Sequence, residues 1–329
     1  MSGGAPILSV KNLRVHFPVT RGGLFGATRP LKAVDGVSFD MYAGETLGIV
    51  GESGSGKSTI GRAVLQLIKS TSGRVVWLGT DLAGKTRTQM KPYRRQMQIV
   101  FQDPLASLNP RMTAGDIIAE PLDTFEPGLP ADARKRRVQE IMEKVGLLPQ
   151  MINRYPHEFS GGQNQRIGIA RAMILKPKLI VADEPVSSLD VSIRAQIINL
   201  LADLQKDSGV ALMFISHDLA IVRHVSHRVL VLYLGKIMEL AEAQALLSRS
   251  RHPYTQALVS AAPVPDPSIE AGKKRIVLQG DLPSPLNPPS GCVFRTRCPI
   301  AKPKCAKEIP ALESRGGDAS HVVACHFPS

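Results

Sequence analysis

Gly51-Glu52-Ser53-Gly54-Ser55-Gly56-Lys57-Ser58 fits the pattern G-x-x-x-x-G-K-[ST] and constrains the chain more than any other segment. Such a loop works only between a strand and a helix. The apolar run Leu47–Val50 leads into it, and Lys57–Ile68 follows with Ile60, Val64 and Leu67/Ile68 on one face. The glycines let backbone N–H groups close around phosphate oxygens, and the helix start adds partial positive charge. Lys57 suits the β- and γ-phosphates and the Ser58 hydroxyl suits Mg²⁺. The nucleotide contacts predicted here are Gly51, Ser53, Gly54, Ser55, Gly56, Lys57, Ser58 and Thr59. The segment therefore predicts an α/β fold with a P-loop nucleotide site.

Other apolar runs end in chemistry. Leu179–Ala182 runs into Asp183 and Glu184, and open parallel sheets bind ligands beyond the carboxyl ends of their strands. Asp183 fits Mg²⁺ support, and Glu184 could polarise an attacking water as general base. Val210–Ile215 precedes Ser216-His217-Asp218, where His217 is placed for a γ-phosphate contact. Gln102, after Ile99-Val100-Phe101, could reach the metal and the attacking water. Phe159-Ser160-Gly161-Gly162-Gln163 opens the helix expected over Gln163–Leu175 and supplies a second anion-friendly helix start. In isolation that turn would read as a plain glycine-rich loop, and His217 as a surface histidine.

Alternating apolar strands and helices from Leu179 to about Leu247 argue for βαβ units and a parallel sheet. Between about Pro104 and Leu175 the pattern is helical, with Ala131–Val145 charged and amphipathic. Thr20–Pro30 reads as an exposed loop within the first sheet. At 43% hydrophobic and 21% charged, the composition excludes fibrous and wholly disordered chains. No run approaches the roughly 18 to 20 apolar residues of a membrane span, and no secretory signal is visible at the N-terminus. The net charge of +13 suits nucleotide phosphates, nucleic acid or an anionic membrane surface without choosing among them. Beyond about His252 the composition changes. Ten of the 25 prolines lie between Pro263 and Pro310, and all four cysteines follow from Cys292, which predicts a small loop-rich extension. Cys292, Cys298, Cys305 and Cys325, spaced C-x₅-C-x₆-C-x₁₉-C, lack the close pairs of structural zinc, yet four thiolates can hold zinc or a [4Fe–4S] cluster.

Taken in order, these motifs resemble an ATP-binding cassette (ABC) ATPase: P-loop Gly51–Ser58, Q-loop Gln102, signature Ser160-Gly161-Gly162-Gln163, Walker B strand Leu179–Glu184, D-loop Ser187-Ser188-Leu189-Asp190 and switch histidine His217. Phe17 aligns with the family's adenine-stacking aromatic. Ala33-Val34-Asp35-Gly36-Val37-Ser38-Phe39, Gln102-Asp103-Pro104, Ser107-Leu108-Asn109-Pro110, His252-Pro253-Tyr254, Pro288–Cys292 and Arg297-Cys298-Pro299 are similar to ATPase subunits of oligopeptide/dipeptide importers. The loop Thr20–Pro30 looks like the F-type member of a paired heterodimer. Phe159 stands where the signature usually has Leu, and Asn164 where it has Arg, Lys or Gln; the changes fall on the docking of the following helix rather than on Ser160 or Gly162.

The resemblance implies a RecA-like P-loop NTPase core with a mixed sheet (1–102 and 176–251), an inserted α-helical subdomain (103–175) and a cysteine-bearing extension (252–329). It implies ATP and Mg²⁺ (held with Ser58, Gln102 and Asp183), hydrolysis at Glu184, and ATP sandwiched against a partner ATPase whose nucleotide meets Ser160–Gln163. Two transmembrane permease subunits would be contacted through the Asp103–Asp116 loop, a solute-binding protein would act indirectly, and the subunit would sit peripherally on the cytoplasmic face of the cell membrane. It favours iron–sulfur over zinc at the cysteines, in a structural role. Import of nickel or another small solute is the alternative reading. An ABC protein of nucleic acid or ribosomes would carry two cassettes or a coiled coil, and neither is in this sequence.

Overall fold

The computed structural model describes residues 4–20, 28–263, 272, 274–314 and 317–328. Among them the strands are β1 (Leu8–Thr20), β2 (Thr28–Met41), β3 (Thr46–Val50), β4 (Ser72–Trp77), β5 (Thr80–Asp81), β6 (Met97–Val100), β7 (Leu179–Asp183), β8 (Ala211–Ser216), β9 (Arg228–Tyr233), β10 (Lys236–Glu242), β11 (Glu313–Ser314) and β12 (Val322–Val323). Two compact units form, one from Met1–Met41, Leu47–Gly84 and Ser216–Ser329, the other from Tyr42–Thr46 and Lys85–Ile215.

In the first unit β2, β1, β4 and β5 make an antiparallel sheet. Along β1, Leu8, Val10, Leu13 and Val15 are buried while Lys11, Asn12 and Arg14 are exposed, and the alternation is interrupted by a register shift at Asn12, whose φ is +48°. The expected Thr20–Pro30 loop falls mostly outside the described residues; its ends lie in strands, with Thr20 paired to Thr28. In the same unit β3 pairs in parallel with β9, from Leu47 opposite Arg228 to Val50 opposite Val231. β3 is buried throughout, as a strand covered on both faces must be. β10 runs antiparallel to β9, and β12 and β11 follow beyond it. The helix after the P-loop spans Lys57–Val64, shorter than the apolar spacing predicts, because Gln66 takes a left-handed φ of +53° and turns the chain.

The extension is less loop-like than its prolines suggest. Pro253 and Pro303 each open a helix, Pro253–Ala261 and Pro303–Lys307, at the position where a missing N–H costs nothing. β12 adds to β10 through Glu239 opposite Val323 and Leu240 opposite Val322. A buried carboxylate organises this junction. Glu239 is fully buried; its Oε1 accepts the Arg251 N–H at 2.7 Å and lies 2.6 Å from His321 Nε2, and its Oε2 accepts the His252 N–H at 3.0 Å. His252 is itself buried, which pushes its pKa down to about 3, and its neutral Nδ1 accepts the Tyr254 N–H at 3.0 Å.

In the second unit β6, β7 and β8 run parallel, with Met97 opposite Leu179 and Leu179 opposite Ala211. The helical stretch holds Ala114–Phe125, Ala131–Lys144 and Gly161–Met173, and the helix Val191–Ser208 follows β7. Ala131–Lys144 buries Val138, Ile141 and Met142, the apolar face its sequence predicts. Among the described residues no helix is long and apolar enough to cross a membrane.

Glu239→Ala is expected to lower unfolding free energy by about 3 kcal/mol, since it strands His321 and two backbone N–H groups in the interior. Urea denaturation checks this, and an unchanged midpoint would contradict the role given to the carboxylate.

Candidate nucleotide site

The P-loop belongs to the first unit. Gly54 and Gly56 have φ of +76° and +103°, conformations glycine adopts without a Cβ clash. A Cβ on Gly51 would come within 2.1 Å of the Leu232 carbonyl, and one on Gly56 within 2.1 Å of the Ala33 carbonyl. Glycine is therefore required by the sheet beneath the loop as well as by any ligand above it. Lys57 is buried, and its Nζ donates to the carbonyls of Gly51 at 2.8 Å and Glu52 at 3.0 Å. The Ser55 side chain is buried, with its hydroxyl unpartnered among the described residues. A cationic Nζ turned onto loop carbonyls, an orphaned hydroxyl and a helix start at Lys57 together fit a polyphosphate with its Mg²⁺. Ser53 and Gly54 are exposed at the loop's crown, and Ser58 and Thr59 are half-buried in the first helical turn. Phe17 lies exposed on β1 of this unit, and His217 is exposed just after Ser216.

The second unit holds the acidic and signature residues. β7 delivers Asp183 buried and Glu184 half-buried at its carboxyl end. Glu184 has a φ of +48°, a strained backbone for a non-glycine residue. Its N–H donates to the Ile215 carbonyl at 3.0 Å, and its carbonyl accepts the Ser187 hydroxyl at 3.1 Å, which fixes the turn. Gln102 Nε2 donates to Glu184 Oε2 at 3.5 Å, which brings together two residues 82 positions apart. Ser160 caps the helix Gly161–Met173: its Oγ accepts the Gln163 N–H at 3.3 Å, and Gln163 Oε1 accepts the Ser160 N–H at 2.9 Å. A Cβ on Gly162 would come within 2.4 Å of Ile193 Cγ2, in the helix that follows Asp190. Asn164 is buried and donates to the carbonyls of Pro156 at 3.0 Å and Phe159 at 3.3 Å, so this departure from the usual signature tightens the preceding turn.

Residues 34–187 match the family described as ABC transporter, and residues 238–305 match the oligopeptide/dipeptide transporter C-terminal region. The chain is 57% identical over 321 residues to the oligopeptide transport ATP-binding protein OppF of Salmonella typhimurium, covering 97% of this chain and 95% of that one. It belongs to the ABC transporter family. Oligopeptide transport ATP-binding protein AppF of Bacillus subtilis is 53% identical over 325 residues, 98% of both chains. Among solved structures, the dimeric post-hydrolysis ATP-binding cassette MJ0796 bound to ADP and Pi superposes with a TM-score of 0.64 at 27% identity, covering 72% of this chain and 98% of that one. The ABC chain is thus an ATPase, and ATP with Mg²⁺ is its expected ligand.

The cysteines are not drawn together as a ligand set. Among the described residues no group of three or more His, Cys, Asp or Glu side chains is placed to hold a metal ion, so the ligand set expected of Cys292, Cys298, Cys305 and Cys325 is not assembled. The four are free thiols, three of them buried and Cys298 half-buried. Burial, with the neighbouring Cys305, Cys298 and Cys325, pushes the Cys292 thiol up to about 11, and burial also raises Cys298. The sequence reading gave no role to Glu52, Tyr254 or Arg297, which meet beneath the P-loop. Tyr254 and Arg297 stood in phrases shared with the importer subfamily, but nothing local marked them as partners of the loop.

On chelator-treated folded protein at pH 8, iodoacetamide is expected to modify Cys298 first. Cys292 should react about a hundredfold more slowly than an unperturbed thiol, following its smaller thiolate fraction. Peptide mass spectrometry over time checks the order, and equal rates at all sites would contradict it.

Proposed function

We propose that this ABC ATPase powers uptake of oligopeptides through a membrane importer. The observation that carries this is 57% identity along almost the whole chain to an oligopeptide transport ATP-binding protein, with the extension matching a transporter C-terminal region. The ATPase domain spans 1–251, with its helical subdomain at 103–175, and the transporter-type region spans 252–329. Nickel and nucleic-acid readings gain nothing from these relatives.

In this reading Gly51, Ser53, Gly54, Ser55, Gly56, Lys57, Ser58 and Thr59 hold the phosphates, and Phe17 stacks on the adenine. Ser58, Gln102 and Asp183 would hold Mg²⁺, which would supply charge neutralisation of the phosphates. Glu184 takes the proton of the attacking water, Gln102 orients that carboxylate through its 3.5 Å hydrogen bond, and His217 contacts the γ-phosphate. Ser160, Gly161, Gly162 and Gln163 complete the nucleotide site of a second, different ATPase subunit, with Asp190 at the same junction. The head-to-tail pairing draws support from the dimeric relative bound to ADP and Pi. The segment Asp103–Asp116 offers exposed Leu105, Asn109, Pro110 and Arg111 to permease subunits on the cytoplasmic face, and a solute-binding protein delivers peptide from the other side.

Glu184→Gln should bind ATP normally and hydrolyse it about 10²- to 10⁴-fold more slowly, the usual contribution of a general base. Gly162→Asp should leave ATP binding by the lone subunit intact and stop turnover by the assembled pair. Less than a fivefold loss for the first, or normal turnover for the second, would overturn these roles. The cysteines belong to the same reading as a structural [4Fe–4S] site, with zinc as the alternative. Its support is that Cys305, Cys298 and Cys325 all lie close enough to Cys292 to act on its thiol. Anaerobically purified protein should then contain iron and sulfide in near-equal amounts, whereas metal-free protein would make the cysteines packing residues.

A further inference from the structure

Glu52 is the second residue of the P-loop, and it brings a carboxylate to a loop whose ligand is a polyanion. The first unit grips it on every side. Its N–H donates to the Tyr254 hydroxyl at 3.0 Å, its carbonyl accepts Lys57 Nζ at 3.0 Å, and Arg297 Nη1 reaches its Oε1 at 3.0 Å and its Oε2 at 2.8 Å. The ion pair is largely withdrawn from water, with the Arg297 and Glu52 side chains 10% and 28% exposed. An aromatic cluster backs it. Arg297 lies 5.9 Å from the centre of the Tyr233 ring, which packs against Tyr254 at 4.8 Å and Phe294 at 5.3 Å. Burial works against the Arg297 charge, and Glu52 together with the Tyr233 hydroxyl more than offsets it, so its pKa is raised.

These contacts divide into shape and charge. Tyr254 holds the backbone of Glu52 whether or not Arg297 is present. Arg297 contributes the charge: it turns a carboxylate that would repel phosphate into half of a neutral pair. We infer that Arg297, from the C-terminal region, is a positioning residue of the ATP site, holding and neutralising Glu52 so that the loop can accept a polyphosphate. The inference rests on the P-loop being the nucleotide site. An ordinary anchoring role, with the pair merely fastening the extension, would place its effect on stability and not on ATP.

The test is calorimetric titration of the full chain with Mg-ATP. Arg297→Gln, which bares the carboxylate, should weaken ATP binding about tenfold at low salt, as expected for an uncompensated like charge carried on the phosphate loop itself, and less at 0.5 M salt, where such repulsion is screened. Glu52→Gln, which leaves the Arg297 charge unopposed, should tighten binding a few-fold. The double variant should return to within about threefold of the unaltered protein. That reversal of sign is what an anchoring role does not produce. Equal affinity for Arg297→Gln, weakening by Glu52→Gln, or a double variant as weak as Arg297→Gln would each overturn the inference. Lys57→Ala separates the two readings: if it too leaves affinity unchanged, the nucleotide-site assignment falls with the inference, and if it weakens binding while Arg297→Gln does not, only the inference falls.

Discussion

The phosphate loop is forced into shape from below. Glycine at 51 and 56 lets the loop backbone press onto the carbonyls of Leu232 and Ala33, where any side chain would collide at 2.1 Å. That contact ties the loop to β9 and β2, strands whose residues are distant in the chain, before any ligand is considered. The helix Lys57–Val64 then starts where the loop points, and Lys57 is drawn inward onto the loop's own carbonyls. A loop built this way changes little on binding, because its geometry is a property of the sheet.

The same unit explains why the C-terminal region travels with the ATPase. Its ties are polar groups in dry places: Glu239 with His321 and the N–H groups of Arg251 and His252, and Glu52 with Tyr254 and Arg297. Buried polar contacts are severe about their partners, since each group left alone costs more than the contact contributes. They fix where the region docks, while Tyr233, Tyr254 and Phe294 supply the apolar packing.

Much of this was legible in the sequence, for stated physical reasons. Leu179–Asp183 and Ala211–Ser216 are buried at every position and apolar up to their last residue, because both faces of a parallel sheet are covered, and their carboxyl ends carried the chemistry. Gln102 was singled out through motif order, since its local signal was weak, and its contact with Glu184 came only with the structure. What escaped was whatever depends on distant partners. β11 and β12 are two residues each, too short for any period to show, and were hidden in a proline-rich tail. Glu239 sits among buried Ile237, Met238, Leu240 and Ala241, and only the fold reveals the donors that make it tolerable. Arg297 reads as one more basic residue in a chain with a net charge of +13. The cysteine spacing suggested ligands, yet spacing alone does not fix the angles at which sulfurs converge.

Asn164 has a consequence for the kinetics of assembly. By bonding the carbonyls of Pro156 and Phe159, it freezes the turn that presents Ser160 and the glycines, and the reciprocal cap between Ser160 and Gln163 freezes the next. In the proposed pairing, the surface offered to a second subunit is therefore already in one conformation in the lone chain. Docking onto it need not wait for a loop to find its shape, so encounter is governed by diffusion and orientation, and little conformational entropy is surrendered at this turn when the two subunits meet.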